Sequence, residues 1–173
     1  MNVQKQQKGF TSGKAGGFTI IEVVLVLAIA GLIFLMIFIA LPALQRGQRD
    51  TQRRDDASRF ITQLNSYSTN NNGRIPTFAQ VTDGSATGLR VRYLKQDLTT
   101  EENSEFRDPR TGANYTIAAT LPTDAAHDTF YSTFQYVTGQ RCNGEELQAA
   151  GGSRVAAIRI NLEGSGIFCQ DNQ

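Results

Sequence analysis

Residues 23–41 run 19 positions without a charge or a strong polar group, and apart from Ala28, Ala30, Gly31 and Ala40 all are large and apolar. About 20 apolar residues coiled as a helix cross the roughly 30 Å hydrocarbon core of a bilayer. The run is too long for the h-region of an ordinary signal peptide, and no A-x-A cleavage site follows it. On length alone it reads as a membrane anchor. Whole-chain averages conceal this block, because 40% apolar and 19% charged residues are ordinary values for a globular protein.

The same inventory narrows the chemistry. A net charge of +1 gives no general attraction for nucleic acid or an anionic membrane. One histidine and no tryptophan leave little material for a histidine-based site. Asp124, Asp128, Glu145, Glu146 and Asp171 are scattered and match no calcium loop. His127 lies in a turn-like stretch and reads as a surface residue. We therefore expect no metal, no cofactor and no enzymatic activity.

After the apolar run, residues 45–59 interleave arginine with aspartate. Pairs such as Arg46–Asp50 and Asp55–Arg59 lie one helical turn apart, which predicts an exposed, charge-laced helix. Phe60, Ile61, Leu64 and Tyr67 then recur at helical spacing, an apolar stripe that requires a partner. Asn70-Asn71-Asn72-Gly73 stops the helix, and Pro76 follows. A helix from about residue 18 to 68 would be roughly 75 Å long at 1.5 Å per residue. Leu89, Val91 and Tyr93 alternate as in a strand, whereas Leu94 and Leu98 suit a helix, so both readings stand. Asp108-Pro109-Arg110-Thr111-Gly112 predicts a turn. Thereafter the period is two. Tyr115, Ile117, Ala119 and Leu121 form one stripe, Phe130, Phe134 and Tyr136 a second, and Ala156, Ile158, Ile160 and Leu162 a third. Arg159 and Asn161 lie opposite the third stripe. A short last strand is expected near residues 167–169, after Gly164-Ser165-Gly166. The pattern predicts an α+β fold: a three- or four-stranded antiparallel sheet, one face covered by the Phe60 stripe.

The residues leading into the apolar run are Gly16-Gly17-Phe18-Thr19-Ile20-Ile21-Glu22. A carboxylate near the start of a membrane helix is costly and generally marks a function or a charge partner. This segment resembles the class III signal of type IV prepilins and pseudopilins. The resemblance covers about 30 residues and agrees with the layout as a whole: basic leader, long helix, C-terminal sheet and a late cysteine pair. It implies cleavage between Gly17 and Phe18 by a prepilin peptidase, N-methylation of the new Phe18 amine, and assembly through Thr19 and Glu22. Lys8-Gly9-Phe10-Thr11 imitates the signal but lacks both the spaced glutamate and the apolar run. Family members often carry a glycine where Gly31 stands. They also carry a proline about three residues before Pro42, where this chain has Ile39, so Gly31 and Pro42 are the expected points of helix flexibility.

The resemblance thus divides the chain into a removed leader (1–17), a membrane and filament-core helix (18–44), its amphipathic continuation (45–72) and a globular head (73–173). It implies a disulfide between Cys142 and Cys169 in the exported head. Lys5, Lys8 and Lys14 precede the membrane run and Arg46, Arg49, Arg53 and Arg54 follow it, so charge alone does not orient the segment. Peptidase access and the late cysteines place the N-terminus inside. The expected partners are identical subunits in a helical homopolymer, the peptidase and assembly machinery, and the membrane. Nucleic acid at the arginine cluster is weakly supported. The expected location is the inner membrane before assembly and an extracellular pilus afterwards. Rival readings are a minor pilin, a type II secretion pseudopilin, or a membrane-anchored adhesin.

Overall fold

The computed structural model describes residues 16–85, 88–96, 104–125, 129–164 and 166–173. His127, Asp128, Leu98, Ser165 and the leader lysines lie outside them. Two compact units, Met1–Leu41 and Pro42–Gln173, divide the chain.

In the first unit the described residues form the opening turns of helix α1 (Ile20–Asn70), a 51-residue helix. Helix α1 is helical at both Gly31 and Pro42. Pro42 cannot donate a backbone hydrogen bond, so the helix loses one bond there without ending. The second unit begins within this helix. At the far end Asn72 and Gly73 turn left-handed, with φ of 57° and 76°. The Gly73 amide then donates to the Ser68 carbonyl at 2.8 Å and closes the helix. The asparagine run therefore stops α1 as its composition predicts.

Two short helices follow. Helix α2 (Phe78–Thr82) starts at Thr77, whose side chain and that of Gln80 cap each other's backbone. Helix α3 (Leu89–Arg92) settles the ambiguous alternation in favour of helix, with Leu89 and Leu94 both buried.

The main sheet has the order β1-β2-β5-β6, comprising β1 (Thr116–Ala118), β2 (Thr133–Thr138), β5 (Ala156–Asn161) and β6 (Ile167–Asp171). A hairpin of β3 (Gln140–Asn143) and β4 (Glu146–Ala149) forms a second sheet. The antiparallel expectation holds for β2-β5-β6 and fails for β1, which pairs parallel to β2. Residues 119–132 between them, 14 in number, are long enough for the crossover that a parallel pair needs. The first stripe also ends early, since Ala119 is exposed.

Phe60 is the hub of the core. Its ring centroid lies 6.0 Å from Phe106, 5.9 Å from Phe134 and 6.1 Å from Tyr136. Ala57, Ile61 and Leu64 are buried beside it, and Tyr67 is half-buried at the margin. The Phe60 stripe thus covers the sheet. The opposite face departs from expectation, because Ala157 and Asn161 of β5 are also buried. The Asn161 amide donates to the carbonyls of Pro122 and Phe130, both at 3.2 Å. The β1–β2 crossover therefore shields the outer face of the central strand.

The β3–β4 hairpin escaped the period-two reading because its side chains are mostly polar and exposed. Asn143 pairs with Glu146, leaving the two-residue loop Gly144-Glu145, with Gly144 at φ 64° as tight hairpins require. Cys142 of this hairpin is disulfide-bonded to Cys169 of β6, with Cα atoms 5.7 Å apart.

Candidate functional site

Residues 16–19 are irregular and α1 begins immediately after them. The cause is a reciprocal cap. The Thr19 amide donates to Glu22 Oε2 at 2.9 Å, and the Thr19 hydroxyl donates to the same oxygen at 2.7 Å. In return the Glu22 amide donates to the Thr19 hydroxyl at 3.3 Å. A threonine followed three residues later by glutamate is the capping-box pattern, and it satisfies amides that the first helical turn leaves open. The cap leaves Gly17 and Phe18 outside the helix. Phe18 is 89% exposed, and a shallow apolar depression lined by Phe18, Glu22, Val23, Val26 and Leu27 flanks the carboxylate.

The structure thus brings Phe18, Thr19 and Glu22 together at one helix start. Gly31 and Pro42 lie further along α1 and take no part in this cluster. Beyond the cap the helix presents apolar side chains all round. None of its most apolar window is buried by the protein itself, and among the described residues it is one helix long and apolar enough to cross a membrane. Such a surface needs lipid or other helices around it.

The arginine-rich segment is arranged otherwise than its alternation predicts. Asp50, Arg53 and Asp56 are buried, and Arg53 has 0% exposure. Arg53 contacts Asp50 at 3.1 Å, Asp108 at 2.8 Å and Glu163 at 2.8 Å, and the Tyr131 ring lies 5.4 Å away. Arg49 shares Glu163 at 2.5 Å. Asp50 accepts the Glu163 and Gly164 amides at 2.8 and 2.7 Å. Asp108 caps its own turn through the Thr111 amide at 3.0 Å. Segments far apart in sequence are therefore clamped to α1 at one point, and each carboxylate has a second partner, as buried charges require. The expected surface pairs Arg46–Asp50 and Asp55–Arg59 do not form: Asp50 faces inward, and Arg59 reaches Glu105 at 2.6 Å. Arg49 and Arg53 are spent on carboxylates, which weakens the arginine cluster as a nucleic-acid surface. No group of metal-ligating side chains occurs among the described residues.

Two nearby carboxyls are shifted in opposite directions. Burial pushes Asp56 up to about 6, against the hydrogen bond from the Tyr115 hydroxyl at 3.0 Å. Burial also pushes Glu163 upward, but the Arg49 and Arg53 hydrogen bonds outweigh it and hold Glu163 below its ordinary value. Asp56, raised above its unfolded value, favours folding most at pH below about 4 and loses that contribution as pH rises through about 6. Glu163, depressed, contributes above its unfolded value of 4.5 and loses its contribution as pH falls below it. These two carboxyls therefore push the stability of the head in opposite directions between about pH 4 and 6. Asp56→Asn keeps the acceptor for Tyr115 and removes the charge. It should stabilise the head by about 1–2 kcal/mol at pH 7.5, after allowance for solvent screening, and by almost nothing at pH 4. Urea titrations at both pH values, followed by tyrosine circular dichroism, measure the difference. Equal stability of the two forms at pH 7.5 would contradict it.

Comparison with protein-family models, with curated proteins and with solved structures finds no match.

Proposed function

We propose that the chain is a type IV pilin-like subunit. Residues 1–17 are its leader, removed between Gly17 and Phe18 by a prepilin peptidase, after which the Phe18 amine is methylated. The mature subunit sits in the inner membrane through residues 18–44 as a single pass. Assembly machinery then moves it into an extracellular homopolymer whose core is the bundled apolar helices. The role is structural, with no catalysis and no cofactor.

One observation carries this reading. A helical stretch whose most apolar window the protein leaves uncovered follows a glycine–phenylalanine bond kept outside the helix by the Thr19–Glu22 cap. A plain anchor shares the apolar run but has no use for the capped glycine–phenylalanine junction. The late disulfide suits an exported head, since such bonds persist in oxidising compartments.

Intact-mass measurement of subunits from sheared surface filaments tests the proposal. The expected species starts at Phe18, contains 156 residues (173 − 17) and carries one added methyl group. Subunits that retain Met1, or that begin at Phe10, would refute the cleavage. A minor pilin or secretion pseudopilin shares this layout and is told apart by its low abundance in the same filaments.

A further inference from the structure

At the C-terminal end of α1, three adjoining cavities of about 780, 390 and 270 Å³ form one groove on the head. The largest shares Arg74 and Thr77 with the second, and Phe78 and Thr138 with the third. The lining has a distinctive chemistry. Among the described residues, no aspartate or glutamate borders any of the three cavities. The polar groups are carboxamides, among them Asn72 and Gln80, and hydroxyls such as Thr138 and Ser153. Arg74 and Arg154 are both exposed there, and neither forms a salt bridge with a described residue. Phe78, 40% exposed, stands where two cavities meet. Gly73, at φ 76°, places the turn against the Arg154 guanidinium.

We propose that this groove binds an acidic oligosaccharide, a glycan whose sugar rings carry occasional carboxylates. The exposed phenyl face suits the apolar face of a sugar ring. Carboxamides and hydroxyls suit its hydroxyl groups, because each can donate and accept at once. Two guanidiniums that form no salt bridge with a described residue suit carboxylates, which they grip through paired N–H donors. Charge density separates this ligand from nucleic acid. A strand carries a phosphate at every nucleotide and calls for a track of cations with several stacking rings. The groove offers two arginines, both at its largest cavity, and one exposed ring at its edge, which is enough for occasional carboxylates and too few for a phosphate at every residue. The inference is independent of filament assembly, because the groove lies wholly within the second unit.

The test uses the full chain in zwitterionic lipid nanodiscs and fluorescently labelled tetragalacturonate, read by anisotropy. Saturable binding is expected, at least tenfold tighter than to labelled cellotetraose. Arg74→Gln and Arg154→Gln should each weaken it about tenfold, the scale of one charge-assisted hydrogen bond. Phe78→Ala should weaken it about fivefold, in line with loss of one ring contact. Arg110→Gln, which removes a charge away from the groove, should leave it unchanged. Thermal melts of each variant separate lost binding from lost fold. The proposal is overturned by absence of saturation at millimolar probe, by equal affinity for cellotetraose, or by tighter binding of labelled oligothymidylate. It is also overturned if Arg110→Gln weakens binding as much as the groove variants do.

Discussion

Arg53→Ala should destabilise the head by about 3 kcal/mol, a large part of the roughly 5–15 kcal/mol by which a domain of this size is stable. The mutation removes the fully buried guanidinium that faces Asp50, Asp108 and Glu163. Stranding buried charges in this way typically costs about 3–5 kcal/mol. The lower figure applies because each carboxylate keeps another partner. Asp50 retains two backbone amides, Glu163 retains Arg49, and Asp108 retains its own turn. Arg53→Lys should recover only part of the loss, since an ammonium cannot present the fork of donors that reaches both Asp108 and Glu163. Arg53→Met combined with Asp108→Asn and Glu163→Gln should lie closer to the wild type than Arg53→Ala does, because of the three carboxylates only Asp50 then stays charged, and it keeps its two backbone amides. Urea titration of the full chain at pH 7 measures all of these. If Arg53→Ala stays within about 1 kcal/mol of the wild type, water reaches the cluster and the clamp is a weak one.

Glu22→Ala should lower the yield of subunit in sheared filaments at least tenfold relative to the membrane pool, while insertion and cleavage after Gly17 persist. This follows from the proposed assembly. A carboxylate in the membrane region is costly, and pairing with a neighbouring subunit's Phe18 amine offsets that cost only at the correct axial offset. A preference of 1.4 kcal/mol for that offset is already a factor of ten. The cap supplies a finer test. Glu22 also bonds its own Thr19 amide and hydroxyl. Glu22→Gln can keep both cap bonds, since glutamine serves in a capping box, and it loses the charge alone. If charge pairing sets the register, Glu22→Gln should fail as Glu22→Ala does, and Glu22→Asp, one methylene short, should fall between. If Glu22→Gln assembles normally, the residue acts as a helix cap. Normal filaments from Glu22→Ala would leave register to helix packing.

The parts of this structure that were legible in the sequence are those governed by local rules. The apolar run, the asparagine stop after α1, the Phe60 stripe and the β2-β5-β6 ladder each follow from a repeat or a breaker within about ten residues. The direction of β1 was not legible, because Tyr115 and Ile117 alternate identically in a parallel or an antiparallel pair. The hairpin was missed because polar side chains at positions such as Arg141 and Glu146 hide its alternation. The burial of Arg53 was missed for a different reason. Its partners Asp108 and Glu163 lie 55 and 110 residues away (108 − 53 and 163 − 53), and no local rule joins them. One sign was present. Stepping back from Leu64 and Phe60 by helical intervals leads to Ala57, then Arg53, then Asp50, so the charged residues stand on the buried stripe itself. At the candidate site, Thr19 and Glu22 were legible as a pair through the resemblance, whereas their mutual hydrogen bonds emerged only with the geometry.

Under the export proposed above, the clamp around Arg53 also bears on when the head can fold. Its contacts join the first part of the head to emerge with some of the last: Arg49 waits for Glu163 across 114 residues, and Asp56 waits for Tyr115 across 59. Strand β6, which follows both, then supplies the disulfide partner of Cys142 and accepts the Cys142 amide through Asp171. Topologies dominated by such distant contacts fold slowly, because the chain loses loop entropy before the contacts repay it. The head therefore completes its clamp only once residues near position 163 are present. Until Glu163 and Gly164 have emerged, Arg53 and Asp50 lack partners that the finished head gives them, and under the proposed export any quality-control protease or holding chaperone has that interval in which to act.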